Sequence, residues 1–136
     1  MTTNRFVLDT NVIISALLLP RSVSRRAFDH AFDHGVVLAS VATLDELDAV
    51  VRRKKFDRYV VEEKRLQFLE VFIRDSLLVE VTEIVTDCRD PKDNTFLELA
   101  VSGRATSIIS GDGDLLVLHP FRGIPIVQPH IFVTIP

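Results

Sequence analysis

The segment RFVLDTNVIISALLL, residues 5–19, sets the pattern that the rest of the chain repeats. Its first four residues predict a short buried strand. NVIISALLL, which is apolar on all sides, predicts a buried helix that Pro20 ends. Asp9 stands between the two elements, where a buried charge is unfavourable unless it is paired or bound. This acid therefore needs either a structural or a chemical explanation.

Strands and helices alternate along the remaining sequence. The apolar segments that predict further strands are residues 36–39, 77–81, 106–110, 125–129 and 131–135. Strands separated by helices pair in parallel through right-handed crossovers, and continuously apolar strands are typical of sheets covered on both faces. The sequence therefore predicts an α/β fold with three layers, α/β/α, around a central parallel sheet. We expect a single domain that spans residues 1–136.

One predicted helix, residues 61–76, is clearly amphipathic. Residues spaced for one helical face are Leu66, Leu69, Phe72 and Ile73. This spacing predicts that all four of these side chains pack against the core.

Composition and charge narrow the functional classes. The net charge of −3 argues against a surface that binds polyanions in general, although not against a local basic patch. A single cysteine, Cys88, excludes an intrachain disulfide and suits a reducing cytoplasm. The apolar run at 12–19 is too short to span a bilayer, which needs about 20 apolar residues. We therefore expect a cytoplasmic protein without a membrane segment.

Acidic residues follow the ends of the predicted strands. Asp9 follows the first strand directly, and Glu46 lies near the start of the helix after the second strand. Asp93 begins the helix that leads into the fourth strand, and Asp112 and Asp114 come directly after that strand. Because ligands bind outside the carboxyl ends of parallel strands, these acids are expected to meet at one edge of the sheet.

Each acid has a structural explanation when it is taken alone. Asp9 and Asp93 can cap helices. Glu46 can complete a capping box with Thr43, and the two acids of GDGD can be turn residues. Taken together, carboxylates at one edge repel each other, and they are tolerated when they share protons or hold a cation.

The donor chemistry of this acidic set favours one class of cofactor. Carboxylates without histidine or thiolate prefer a hard ion, Mg²⁺ or Mn²⁺. Carboxylate-bound ions of this kind hydrolyse phosphodiesters by activating water and stabilising the leaving oxygen. No side chain of the protein is then required as the nucleophile.

The acidic segments resemble, in their order, the four motifs of the PIN-domain family. This family comprises metal-dependent ribonucleases, including the VapC-like toxins of toxin–antitoxin modules. The matching segments are FVLDTNVIISALL, SVATLDEL, DPKDNTFLELA and IISGDGDLL. With the elements that lie between them, the resemblance covers essentially the whole chain. The motif residues map, in chain order, to Asp9 with Asn11, to Glu46, to Asp93, and to Asp112 with Ser110.

The resemblance implies a fold, a function and partners. It implies a parallel sheet in the PIN order, a homodimer, and an antitoxin that covers the catalytic groove. It further implies metal-dependent cleavage of single-stranded RNA. The residues that would hold Mg²⁺ or Mn²⁺ are Asp9, Glu46, Asp93 and Asp112, with Asp114 as a further ligand. Asn11 and Ser110 would support these ligands.

Neighbouring acids leave some of these assignments open. Asp87 and Asp90 compete with Asp93 for the third acidic position. Asp45 is a weaker rival of Glu46, because one residue of helix turns the side chain by about 100°. The relative importance of the two acids of GDGD is also open.

A basic segment follows the helix that carries the second acid. Phe56 and Tyr59 are interleaved with its cations, a pattern that can grip RNA and stack a base. The alternative is a solvated helix end whose cations complement the helix dipole. The candidate RNA-binding residues are Arg52, Arg53, Lys54, Lys55 and Arg58.

Three functions fit the pattern to different degrees. A metal-dependent endoribonuclease accounts for all the acids. A non-catalytic module that binds nucleic acid or a protein partner on the same fold is the alternative. A phosphatase with Asp9 as nucleophile ranks last, because a phosphatase of the haloacid-dehalogenase type has a second aspartate where this chain has Asn11.

Overall fold

A parallel sheet forms the centre of the computed structural model, which describes residues 3–136. Within that range the strands are Arg5–Leu8 (β1), Val36–Ala39 (β2), Leu77–Leu78 (β3), Ser107–Ile109 (β4) and Ile126–Val127 (β5). Their order in the sheet is β3-β2-β1-β4-β5, and every pair of neighbours is parallel. The predicted central parallel sheet is therefore confirmed.

Helices connect the strands and lie on both faces of the sheet. They are Thr10–Leu18 (α1), Val23–His34 (α2), Val41–Val51 (α3), Glu62–Asp75 (α4), Asn94–Ser102 (α5), Gly113–Leu116 (α6) and Pro129–Phe132 (α7). Short 3₁₀ turns occupy Lys54–Arg58 and Pro91–Asp93. In residues 3–136 no helix combines the length and the apolar character needed to cross a membrane.

Alternate residues of β1 pack into different apolar clusters, one on each face of the sheet. Phe6 and Leu8 join a cluster formed with α1, α2, α3, α4 and α7. Val7 joins a second cluster with α5 and α6. Because both faces are covered, the strands are apolar throughout, and the predicted three-layer α/β/α arrangement is confirmed.

The register of β1 and β4 brings distant residues together at the carboxyl end of the sheet. Leu8 pairs with Ile109, and the backbone N–H of Asp9 donates to the carbonyl of Ile109 at 3.2 Å. The residues that follow these strands, Asp9 and Ser110, are consequently neighbours although about a hundred residues of chain separate them.

One predicted strand and one structural explanation offered for an acid do not agree with the structure. The segment 131–135 is not a strand, because Pro129 begins the short helix α7, whose Phe132 packs edge-on against Phe6 at 5.0 Å. The capping box at α3 also lies elsewhere. Ser40 is the cap and Thr43 is its reciprocal partner, because β2 ends at Ala39 and the helix starts directly afterwards. Glu46 therefore takes no part in the cap.

The buried face of α4 differs from the predicted one, because it contains a charged residue and lacks one of the predicted apolar residues. Leu69 and Phe72 are buried as predicted, and Leu66 is partly buried. Ile73, however, is 47% exposed, and Arg65 is fully buried in its place. The buried positions 65, 69 and 72 are spaced as one face of a helix. The predicted amphipathic helix is therefore correct, but one of the residues assigned to its buried face is not.

Candidate functional site

A cleft of about 120 Å³ lies at the carboxyl end of the sheet. Its walls contain acids from the ends of β1 and β4 and from α3 and the 3₁₀ turn before α5. The lining residues are Asp9, Thr10, Asn11, Glu46, Val50, Arg53, Asp93, Phe96 and Asp112. The structure thus brings together four of the five acids that the topology predicted would meet, and the fifth, Asp114, does not line the cleft.

Asp9 is held by contacts to both of its carboxylate oxygens. The residue is 3% exposed; its Oδ1 accepts from the backbone N–H of Val12 at 2.8 Å, and its Oδ2 accepts from the hydroxyl of Ser110. Burial raises the pKa of Asp9 to about 6, with Asp112 and Glu46 adding to the rise and the two hydrogen bonds opposing it. Asp9 does cap α1, but a cap alone does not require other acids beside it.

Asp93 has the clearest signature of a functional carboxylate. It is 9% exposed, and its Oδ2 is buried without a hydrogen-bond partner in the part of the chain that is described. Burial and the adjacent carboxyl of Asp112 raise the pKa of Asp93 to about 8. Although Asp93 precedes α5, its side chain makes no capping hydrogen bond, so capping does not explain it. Buried acceptors without partners are rare, and such a group commonly faces a ligand or an ion.

The rivals of Asp93 have other surroundings. Asp90 caps the 3₁₀ turn, where its side chain accepts from the backbone N–H of Lys92 at 3.1 Å. Asp87 is exposed and does not line the cleft. Asn94 secures this loop, because its Oδ1 accepts from the N–H of Cys88 at 2.9 Å.

Glu46 is oriented by a residue that the sequence pattern did not single out. Its Oε2 accepts from the hydroxyl of Thr10 at 2.6 Å, and Thr10 is itself 7% exposed. The neighbouring Asp45 points to solvent and lies outside the cleft. The signal available in the sequence was a polar residue, Thr10, directly after Asp9 at the start of the predicted apolar helix.

Ser110 links the first and fourth acidic segments. It is fully buried, donates to Asp9, and accepts from the N–H of Asp112 at 3.0 Å. The side chain of Asp112 in turn accepts from the N–H of Asp114 at 2.9 Å and caps α6. Asp112 lines the cleft, whereas Asp114 does not. Asn11 is exposed at the mouth of the cleft.

The donor set suits a hard divalent cation. The cleft offers carboxylate oxygens, one of them without a partner, and their mutual repulsion favours either protonation or a bound ion. In this conformation, residues 3–136 contain no group of three or more Asp, Glu, His and Cys side chains arranged to hold an ion. The chemistry of the residues therefore fits a metal, whereas preformed coordination is absent from the described chain.

The five predicted RNA-binding cations have different surroundings. Arg52 pairs with Asp48 of its own helix at 3.1 Å. Other cations lie over aromatic rings, Lys55 over Phe56 and Arg58 over Tyr59. Lys54 is exposed, and Arg53 alone among the five lines the acidic cleft.

The fold and the cleft define an α/β protein with an acidic site at the carboxyl edge of a parallel sheet. A family model described as the PIN domain matches residues 5–114, and the chain belongs to the PIN-domain family. PIN domains are generally nucleases, and PIN nucleases generally use divalent metals. The chain is also 34% identical over 117 residues to an uncharacterized protein of Methanocaldococcus jannaschii, MJ1680, a match that covers 85% of this chain and 75% of the relative.

Solved structures share the fold. VapBC2 from Rickettsia felis, bound to a DNA fragment from its promoter, aligns with a TM-score of 0.63 at 12% identity, covering 91% of this chain and 98% of that one. FitAcB from Neisseria gonorrhoeae aligns with a TM-score of 0.56 at 19% identity, covering 92% and 98%. At these identities the likeness establishes the fold alone.

Proposed function

We propose that this protein is a metal-dependent endoribonuclease that cleaves single-stranded RNA in the cytoplasm, as the toxin of a toxin–antitoxin module. One observation carries the proposal. Four carboxylates from four separate segments of the chain line one cleft, and the most strongly perturbed of them, Asp93, has a buried oxygen without a partner. A folding role does not require this convergence, whereas a site for hard cations does.

Each polar residue of the cleft has a distinct task in this proposal. Mg²⁺ or Mn²⁺ would supply activation of water and stabilisation of the leaving oxygen. Ser110 holds Asp9 in place, and Thr10 holds Glu46. Asn11 is exposed at the mouth, where its amide can donate to and accept from a substrate. The residues proposed to hold the ion or ions are Asp9, Glu46, Asp93 and Asp112, with Asp114 as an additional candidate.

The partner proteins are part of the same proposal. We infer an antitoxin that covers the cleft, a homodimer, and a single domain over residues 1–136. The similarity in fold to VapBC2 and FitAcB supports the antitoxin partner. Light scattering of the purified chain tests the dimer independently of catalysis, and a monomer at micromolar concentration would contradict it.

Metal dependence of RNA cleavage is the direct test. After treatment with EDTA, the protein is expected to leave labelled single-stranded RNA intact, and addition of Mg²⁺ or Mn²⁺ is expected to start cleavage. Single-stranded DNA of the same sequence is the matched substrate and is expected to be cut more slowly, because the 2′-hydroxyl distinguishes RNA from DNA. Tight RNA binding without turnover in either metal would favour the non-catalytic binding module instead.

The acids of the cleft also predict a pH-dependent stability. Raised pKa values, about 6 for Asp9 and about 8 for Asp93, mean that the folded protein binds more protons than the unfolded chain above pH ~4. The free energy of unfolding of the metal-free protein is therefore expected to fall as the pH rises from about 4 to about 8. For Asp9 alone this loss is about 3 kcal/mol. Urea denaturation at several pH values measures it.

Two further measurements distinguish this effect from a general loss of stability at high pH. Asp93→Asn removes the group with the larger shift and is expected to flatten the profile and to stabilise the metal-free protein near pH 8. Millimolar Mn²⁺ is expected to stabilise the wild type more at pH 8 than at pH 5, because the ion competes with protons. An unchanged profile in Asp93→Asn would contradict the assignment.

A further inference from the structure

We propose that Arg53 binds a phosphate of the substrate strand beside the acidic cleft and so holds the strand there. The ligand class is a single-stranded nucleic acid, recognised through its phosphodiester backbone. This inference rests on the proposed function of the same cleft. It assigns the phosphate contact to one side chain, whereas the sequence indicated only that the basic segment as a whole can bind RNA.

The first argument is that Arg53 is next to acids and yet uncommitted. It lines the cleft together with Asp9, Glu46, Asp93 and Asp112, and it is exposed. Within residues 3–136 its guanidinium takes part in no salt bridge and no hydrogen bond. Arg52, one residue earlier, forms two hydrogen bonds with Asp48 at 3.1 and 3.2 Å. Of these two adjacent arginines, Arg52 is therefore paired, whereas Arg53 has free N–H donors at the cleft.

The second argument is that the backbone of Arg53 is firmly anchored. Its N–H donates to the carbonyl of Val50 at 3.1 Å, and its carbonyl accepts from Phe56 at 3.1 Å and from the buried Arg65 at 3.4 Å. Arg65 also donates to the carbonyl of Val51, at 2.8 Å. A guanidinium on a fixed anchor loses less entropy when it binds a ligand than one on a mobile loop.

The third argument is electrostatic. Clustered carboxylates repel a polyanion, so a strand that approaches the acids needs a cation close to them in addition to any bound ion. A guanidinium matches a phosphate with two parallel hydrogen bonds. Since Arg53 shares the cleft with the acids, the phosphate that it contacts lies at or next to the proposed site of cleavage.

RNA binding at several salt concentrations tests the inference. Fluorescence anisotropy with a fluorescein-labelled single-stranded RNA is measured in an Asp9→Asn background, so that the RNA stays intact. Arg53→Ala is expected to weaken binding about tenfold and to reduce the slope of log K against log salt by about 0.7, the value for one phosphate contact on a single strand. Arg53→Lys is expected to keep that slope and to recover part of the affinity.

Controls separate this contact from a diffuse basic surface. Arg74→Ala removes the same charge from an exposed arginine that pairs with Asp75, and it is expected to leave RNA binding within about twofold. Equal losses from Arg52→Ala and Arg53→Ala would overturn the proposal, because they would indicate a diffuse patch. An unchanged salt slope in Arg53→Ala would also overturn it, and would instead fit a carboxylate of a protein partner as the ligand of Arg53.

Kinetics distinguish failure of this inference from failure of the proposed function. In an active enzyme, Arg53→Ala is expected to raise KM about tenfold and to change kcat by less than about threefold. If the wild type cleaves RNA and Arg53→Ala cleaves it with the same KM, the inference fails and the proposed function stands. If the wild type never cleaves but its RNA binding depends on Arg53 as described, the inference stands and the nuclease proposal fails.

Discussion

Replacing Asp9 by asparagine is expected to reduce RNA cleavage at least about a hundredfold while the protein stays folded. Loss of a residue that only orients a metal ligand typically costs ten- to a hundredfold in activity, so loss of a charged ligand is expected to cost more. Asparagine keeps the cap on α1, because its oxygen can accept from Val12 and its amide can donate to Ser110. The raised pKa of Asp9 also means that the fold tolerates a neutral group at this position.

The matched control for this variant is Asp45→Asn. It removes the same charge from an exposed acid next to Glu46 that lies outside the cleft. Cleavage is expected to stay within about twofold of the wild type, and circular dichroism and thermal unfolding check both folds. Wild-type cleavage by Asp9→Asn that also persists in EDTA would exclude a metal site at this carboxylate.

Arg65→Met is expected to lower the free energy of unfolding by about 3 to 4 kcal/mol. Arg65 is fully buried and donates to the carbonyls of Val51, Val60 and Arg53 and to the carboxylate of Asp57. Methionine fills similar volume but leaves the carbonyls of Val51 and Val60 without a donor, at about 1–3 kcal/mol for each buried acceptor. The carbonyl of Arg53 keeps the N–H of Phe56, and the half-exposed carboxylate of Asp57 returns to water. For a chain of this length the midpoint of thermal unfolding is expected to fall by roughly 10 °C.

Arg74→Met is the control variant, because it removes an arginine that is also paired with an aspartate but is not buried. Arg74 lies on the same helix and pairs with Asp75, but its side chain is 69% exposed, so the expected change is below about 0.5 kcal/mol. Equal losses in the two variants would mean that burial of Arg65 adds nothing. Because Arg65 anchors the backbone of Arg53, its variant is also expected to weaken RNA binding, in contrast to Arg74→Met.

Patterns within short segments of the sequence were sufficient to predict the architecture of the fold. Apolar runs separated by amphipathic helices predicted the parallel sheet, and the rule for ligands at strand ends placed Asp9, Glu46, Asp93 and Asp112 at one edge. The structure has both features. These inferences succeeded because periodicity and topology constrain where strands end, whatever the details of packing.

Helix ends and buried faces were less predictable. Thr43 and Glu46 fitted a capping box, yet Ser40 is the cap, because the end of β2 fixes where the helix starts. Segment 131–135 is β-branched and apolar like a strand, but Pro129 and the packing of Phe132 make its start helical. In each case a contact with a neighbouring element overrode a local preference of similar strength.

The edge at which the acids meet is therefore a property of the sequence, because all strands of a parallel sheet end at the same edge. That RFVLDTN and SIISGDGD lie side by side there depends on the strand order, which places β1 next to β4. The state of each group at that edge is a property of the packed molecule. The unpartnered oxygen of Asp93, the support of Glu46 by Thr10, and the burial of Arg65 beneath Arg53 all depend on residues that are distant in the chain. Desolvation and hydrogen bonding act over a few ångströms in space, and no sequence interval encodes those distances.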